Sequence, residues 1–178
     1  RQRQMCIRDR CSPVACAHHA RPLYRGCMST PTVLFVHHSP SPRVEQLAQA
    51  VRDVFTLPEL DGVTLVEKPA LEATVQDVLS ADAYILGTTA NFGYISGALK
   101  HFFDTTYNDV REPTSGRPFS YFIHGGYDTT GAERAMEAIT TGLGWKLVAQ
   151  PVAFTGEVEE SHTDAIAEAA GTVAATVM

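Results

Sequence analysis

Two stretches of the chain constrain its fold more than anything else in it. TVLFVHH (32–38) and DAYILGTTA (82–90) are apolar and β-branched almost without interruption. A strand with one wet face alternates apolar and polar residues, whereas unbroken runs of this kind are buried on both faces. Such strands need helices above and below a parallel sheet, and the intervening sequence supplies them. SPSPRVEQLAQAVRDVF (39–55) opens on turn residues, then sets Val44, Leu47, Ala48, Val51, Val54 and Phe55 at helical spacing. DGVTLVEKP (61–69) reads as a more polar strand suited to an edge, and ATVQDVLSA (73–81) as a short helix. SGALKHFFDTTYNDV (96–110) predicts a helix, RPFSYFIHGG (117–126) a strand and TTGAERAMEAITTGLG (129–144) a helix. WKLVAQPVAFTG (145–156) predicts the last strand and HTDAIAEAAGTVAATV (162–177) the last helix. The helix over 129–144 is expected to open on a capping box, Thr130-x-x-Glu133, and to end on Gly142 and Gly144.

Five strands alternating with five helices predict an α/β fold: a three-layer sandwich with a five-stranded parallel sheet and helices on both faces. Right-handed crossovers leave few topologies, and five such units match the order 2-1-3-4-5. In that order the ligand site lies beyond the strand C-termini, at the loops after strands one, three and four.

The pattern starts only near residue 32. Residues 1–27 contain six Arg, one Asp and all four cysteines (Cys6, Cys11, Cys16, Cys27). Residues 28–178 carry 8 Lys+Arg against 19 Asp+Glu, a formal charge of −11, and no cysteine. The opening RQRQMCIRDR resembles the translated read-through of a sequencing adapter. Residues 1–27 are therefore expected to be a disordered, non-native extension, with Met28 as the natural start. A basic tail and an organelle transit peptide are the rival readings. Cys11, Cys16, His18, His19 and Cys27 match no standard zinc spacing, so no metal is expected. The acidity of 28–178 argues against a nucleic-acid partner. No apolar run is long enough to span a bilayer, so no membrane partner is expected. With the first 27 residues set aside no targeting signal remains, which makes the cytoplasm the default location.

The three strand ends carry distinct chemistry. After strand one come His37, His38, Ser39, Pro40, Ser41, Pro42, Arg43 and Val44. Ser39 and Ser41 offer hydroxyls, Pro42 suits the first helical position, and the free N–H groups of Arg43 and Val44 make an anion site. The bland alternative is a serine-capped turn with a solvated arginine. After strand three come Thr88, Thr89, Ala90, Asn91, Phe92, Gly93, Tyr94, Ile95 and Ser96. Phe92 or Tyr94 can cover a planar ring, and Asn91 can read a heterocycle edge. The alternative is a helix entry capped by Ser96 with its aromatics in the core. After strand four come His124, Gly125, Gly126, Tyr127, Asp128, Thr129, Thr130 and Gly131. Taken alone, His124 reads as a satisfied buried histidine.

The run GTTANFGYISGALKHFFD (87–104) resembles the flavodoxin-like NAD(P)H-dependent FMN reductases, whose loop after strand three passes the flavin and enters a GxLKxxxD helix. Here that helix reads Gly97, Leu99, Lys100 and Asp104. Residues 32–178 as a whole are similar to short flavodoxin-family proteins, with their HG-x-x-DTTG motif at His124 to Gly131. The resemblance implies a flavodoxin-like fold and non-covalent FMN. It places the phosphate on Ser39, Ser41, Arg43 and Val44, and the ring against Ala90, Asn91, Phe92, Gly93 and Tyr94, with Thr89 also among the cofactor-binding residues. It brings the outer edge of the ring to His124, Gly125, Gly126 and Tyr127. Two features depart from the family. Pro40 and Pro42 remove two N–H donors from the phosphate loop, with Arg43 as compensation, and the usual proline opening the strand-three loop is absent.

The implied function is transfer of a hydride from NAD(P)H to the flavin, then of electrons to a quinone or similar small acceptor. The residues single out no catalytic acid or base, because the chemistry belongs to the cofactor. Two alternatives stand beside it: a non-enzymatic electron carrier serving a redox partner protein, and a binding module that has lost its flavin. A homo-oligomer is implied by the resemblance alone. A phosphoacceptor receiver domain lacks its acidic residues here, and neither a G-x-S-x-G nor a P-loop pattern occurs.

Overall fold

A computed structural model describes residues 30–178; the expectations for residues 1–27 lie outside the described residues. The strands are β1 (Thr32–His37), β2 (Thr64–Pro69), β3 (Ala83–Asn91), β4 (Tyr94–Ile95), β5 (Pro118–Gly125), β6 (Lys146–Leu147) and β7 (Val152–Thr155). The helices are α1 (Pro42–Val54), α2 (Val75–Ser80), α3 (Gly97–Val110), α4 (Thr130–Leu143) and α5 (Glu160–Ala175). The parallel sheet runs β2-β1-β3-β5, with β6 and β7 both paired to the outer side of β5. Five sheet positions thus follow the order 2-1-3-4-5, the fifth strand being in two pieces.

The two unbroken apolar runs behave as their composition requires. Val33, Leu34, Phe35 and Val36 are fully buried, as are Ala83, Tyr84 and Leu86. Alternate residues of each strand feed two cores. On one face Val33, Phe35, Ile85 and Phe122 pack on α1 and α5 through Leu47, Val51, Ile166 and Val173. On the other, Leu34, Tyr84, Leu86 and Ile123 pack on α2, α3 and α4 through Val78, Leu99, Phe102 and Met136. Each fully buried side chain of this size contributes about 1.5–3 kcal/mol. The more polar β2 is half-buried and pairs only with β1, at the edge.

Three local expectations change. The strand over 145–156 divides into β6 and β7. Pro151 has no N–H to give a ladder, and the backbone leaves β5 before rejoining it at Val152. Trp145 belongs to neither piece: it is buried, stacks on Tyr84 at 4.0 Å, and its indole N–H donates to Thr114 Oγ1 at 2.8 Å. The capping box at Thr130 and Glu133 does not form. The Asp128 carboxylate instead accepts from both Thr130 N (3.1 Å) and Thr130 Oγ1 (2.7 Å). A charged acceptor two residues ahead wins over a reciprocal hydroxyl, and Glu133 takes the Thr129 hydroxyl at 2.6 Å. Gly144 does close the helix in the left-handed region, whereas Gly142 lies inside α4 against Tyr107.

The third change shapes the site. The strand-three loop is not a loop but a two-residue hairpin. β3 runs on to Asn91, turns at Phe92 (φ 51°) and Gly93 (φ 74°), and returns as β4, with Asn91 opposite Tyr94. Positive φ at both central residues is the mark of a type I′ turn, where Asn-Gly is the favoured pair. Phe92 occupies that first position at a cost of about 1–3 kcal/mol.

Candidate functional site

The loops after β1, β3 and β5 meet at the C-terminal end of the sheet and form two neighbouring regions. The first is the turn between β1 and α1. Ser39 and Ser41 each precede a proline, which disfavours helical backbone there. Ser41 is extended (φ −140°, ψ 157°) and α1 starts at Pro42. The Ser41 hydroxyl makes no capping hydrogen bond, and the N–H groups of Arg43 and Val44 belong to the first turn, which has no intrahelical acceptors. The Val44 side chain is buried in the core, so its backbone alone faces the turn. Arg43 is not a free cation: it forms an ion pair with Glu157, from the turn between β7 and α5. A bound anion has to compete with that carboxylate.

Beside this turn runs a chain of hydrogen bonds that sequence reasoning missed. The His37 ring, at the end of β1, stacks on Phe35 with centroids 4.5 Å apart. Its Nδ1 lies 2.8 Å from Ser39 Oγ and its Nε2 lies 2.7 Å from Glu67 Oε1 on β2. Arg52 of α1 grips Glu67 with two bonds, Nη2 to Oε1 at 2.7 Å and Nε to Oε2 at 2.9 Å, and also reaches Glu45 at 2.7 Å. Arg52 thereby holds the Glu67 carboxyl below its usual range. Burial lowers the His37 imidazole, and its bond to Glu67 only partly offsets that. The available signal was the charged pair Glu67 and Lys68 on the more polar strand over 61–69.

The second region is a cavity of about 570 Å³ lined by Ala90, Asn91, Phe92, Gly93, Gly126, Tyr127 and Asp128. That volume falls in the range of about 300–1,000 Å³ typical of small-molecule sites. Phe92 and Tyr127 are fully exposed, and Tyr94 is partly so. Phe92 and Tyr127 thus stand at the cavity and not in the core. Ser96 does cap α3: it accepts from Leu99 N at 3.2 Å and takes the Thr88 hydroxyl at 3.0 Å. Gly131 presses on the hairpin tip so closely that a Cβ there would collide with the Gly93 carbonyl oxygen. The two walls of the cavity are therefore in direct contact at their base.

Thr89 lies between the two regions, on the face of β3 that α1 and α5 cover. Its Oγ1 is buried and has no hydrogen-bond partner among the described residues. An unpaired buried hydroxyl costs about 1–3 kcal/mol. His124, two residues short of the cavity wall at Gly126, is occupied elsewhere. Its Nε2 lies 2.8 Å from Gly156 O and its ring rests on Phe154. Gly125 is buried against Thr129 and Asp128. Of the strand-four residues, Gly126 and Tyr127 line the cavity; His124 and Gly125 do not. Lys100 and Asp104 of the GxLKxxxD helix pair with each other along α3. A separate cavity of about 600 Å³ follows the β7 edge against α5, from Val148 to Thr172. Its walls lack the exposed aromatics and the unpaired hydroxyl found at the strand ends.

A doubly wound parallel sheet with a hydroxyl-rich turn after its first strand and an aromatic cavity between its third and fourth loops defines a flavodoxin-like mononucleotide-binding protein. The profile of the family described as NADPH-dependent FMN reductase matches residues 43–160, and the chain belongs to that family. A flavodoxin of Aquifex aeolicus is 30% identical over 111 residues, which span 62% of this chain and 59% of that protein. The match thus covers about three fifths of that relative's length. The fold is shared with a flavodoxin from the domain Archaea (TM-score 0.71, 13% identity, 82% of this chain and 98% of that one). It is also shared with the flavodoxin of Streptococcus pneumoniae TIGR4 (TM-score 0.65, 18% identity, 82% and 99%).

FMN is the cofactor of this family, with NADPH the co-substrate its description carries. The residues present fit that group. The orphaned Thr89 hydroxyl supplies a donor, and the two exposed rings supply stacking surfaces. The first-turn N–H groups supply an anion site at the positive end of α1. Among the described residues no group of three or more His, Cys, Asp or Glu is placed to hold a metal ion. No helix among them is long and apolar enough to cross a membrane.

Proposed function

We propose that residues 28–178 form a single FMN-binding domain that takes electrons from NAD(P)H and passes them to a quinone or similar small acceptor. One observation carries the reading. A strained, fully exposed Phe92 and a fully exposed Tyr127 face one cavity beside an unpaired buried hydroxyl. A chain that has lost its flavin has no reason to keep all three costs in one place. Phe92 and Tyr127 stack on the ring system, each contributing about 0.5–1.5 kcal/mol beyond burial. Asn91 and the Ala90 and Gly126 backbone meet its polar edge, and Thr89 donates to the chain linking ring and phosphate. Ser39, Ser41 and the N–H groups of Arg43 and Val44 hold the phosphate. Bound FMN supplies the hydride and single-electron chemistry, and this chain orients it and excludes water from one face. A pyridine-nucleotide reductant is an intracellular metabolite, so a cytoplasmic location belongs to the proposal. So does a homo-oligomeric state.

A second reading, a carrier that serves a redox partner protein, draws support from the flavodoxin relative and the charge of −11 over residues 28–178. Titration of the full chain with FMN, followed by flavin absorbance and fluorescence quenching, tests the common core of both readings. Saturable quenching at micromolar protein is expected. Anaerobic addition of NADPH then separates them: bleaching of the flavin, with turnover on adding a quinone, supports the reductase. A flavin reducible only by a protein donor supports the carrier, and no binding at all removes both.

A further inference from the structure

The reading of the β1–α1 turn as the phosphate subsite leaves one cluster unexplained, the line from Ser39 through His37 and Glu67 to Arg52. Its hydrogens can be assigned from the acceptors. Glu67 is a carboxylate: Arg52 binds both its oxygens, and it can only accept. His37 Nε2, 2.7 Å from Glu67 Oε1, must therefore carry a hydrogen. In a neutral imidazole Nδ1 is then a bare acceptor, and the Ser39 hydroxyl, 2.8 Å away, donates to it. Ser39 has spent its only hydrogen on the histidine. What it turns toward the turn is a pair of lone pairs, and a phosphate ester in its dianionic form has acceptors alone to meet them.

We propose that His37 is a positioning residue of the phosphate subsite: binding of the phosphate ester draws one proton from solvent onto His37 Nδ1, which frees the Ser39 hydroxyl to donate to the phosphate. The new Nδ1–H donates to Ser39 Oγ, the Ser39 hydrogen swings outward, and no covalent bond to a heavy atom changes. The surroundings suit a histidine that is neutral without ligand and charged with it. Glu67 of β2 faces the ring directly, and Glu45 and Arg52 of α1 lie behind Glu67. β3 offers Gly87 and no charge at this register, and Phe35 covers a ring face. Burial keeps the ligand-free ring neutral, and the anion's arrival reverses the balance. The turn thereby discriminates a phosphorylated ligand from its unphosphorylated parent most strongly when protons are available.

The test uses FMN and riboflavin as probes of the full chain, because riboflavin engages the aromatic cavity without the phosphate. The ring nitrogen shifts of His37 are followed by NMR from pH 8 to pH 5.5, with assignment from His37→Gln. The riboflavin complex is expected to show Nε2 protonated and Nδ1 bare near neutrality. In the FMN complex the His37 midpoint rises by about one pH unit, which equals about tenfold tighter phosphate binding. The preference for FMN over riboflavin should grow several-fold from pH 8 to pH 5.5, approaching about tenfold only below the ligand-free midpoint. In Ser39→Ala, a change at a half-buried turn position, that growth should be absent; the ligand's own ionisation is common to both proteins and cancels. A His37 midpoint equal in both complexes overturns the proposal, as does an unchanged pH dependence in Ser39→Ala. Equal affinity for FMN and riboflavin at every pH overturns it too, by removing the phosphate subsite. Failure of both flavins to bind removes the FMN reading itself and this inference with it.

Discussion

The two halves of the site are opposites. In the turn after β1, apart from Ser41 and the first-turn N–H groups, the polar side chains are satisfied by one another: Ser39 by His37, His37 by Glu67, Glu67 by Arg52, and Arg43 by Glu157. Around the cavity between the β3 and β5 loops Asp128 is held by Thr130, but three other features are left open. Thr89 lacks a partner, Phe92 sits in a backbone conformation that disfavours it, and Tyr127 lies bare. The contrast shows where binding free energy comes from in each half. Closing the cavity on a ring covers the apolar faces of Phe92 and Tyr127 that the free protein leaves in water. Filling the turn exchanges existing bonds for new ones, so the phosphate adds selectivity more than raw affinity.

The largest expected break in this comparison is Gly131→Ala. A Cβ there drives α4 off the Gly93 carbonyl and separates the cavity walls. Overpacking of this kind costs about 1–3 kcal/mol, and flavin affinity should fall well over tenfold, read by fluorescence titration with circular dichroism as the check on folding. Phe92→Asn comes next and should cut two ways. Asn-Gly is the favoured pair for this turn, so thermal stability without ligand should rise by about 1 kcal/mol while FMN and riboflavin both bind about tenfold more weakly. A drop in stability would remove the strain argument. Thr89→Val keeps the shape and deletes the orphaned hydroxyl. Urea denaturation should show about 1 kcal/mol of added stability, with FMN several-fold weaker; a less stable variant would mean that the hydroxyl has a partner after all.

The smallest effect is a pH dependence of the turn. His37 is held below its ordinary 6.5 by burial, so below that pH the unfolded chain binds more protons than the folded one. Its contribution to stability is complete above about 6.5 and is lost as the pH falls. Glu67, held below its ordinary 4.5 by Arg52, keeps its contribution above that value and loses it at lower pH. Acid titration of the denaturation midpoint should therefore show two separate losses, and His37→Gln should abolish the upper one alone.

The sequence made the cavity easier to read than the turn, for a physical reason. The cavity is built from neighbours in the chain. Phe92 and Gly93 lie on one hairpin and Gly126 and Tyr127 on one loop, so residue type and strand-end position were enough. The same reasoning found the edge character of β2, the double burial of β1 and β3 and the left-handed close of α4 at Gly144. The turn depends on partners far away: Glu67 lies 30 residues from His37, and Glu157 lies 114 from Arg43. Those pairs follow from sheet register and from where the β7–α5 turn lands, which no local pattern encodes. The fifth strand misled for a related reason. WKLVAQPVAFTG has the composition of one strand, but its ladder to β5 is interrupted around Pro151, a detail that appears only once β5 is beside it.

That interruption also governs how this molecule can meet others. An open sheet edge is a template on which a further chain can add a strand. On this side the template is cut into a two-residue and a four-residue piece with a proline between them. On the opposite side β2 ends in Glu67, Lys68 and Pro69. The β5 side offers no continuous row of backbone donors and acceptors, and on the β2 side the row closes on two charges and a proline. Strand addition is therefore opposed at both borders, by interruption on one side and by charge and proline on the other.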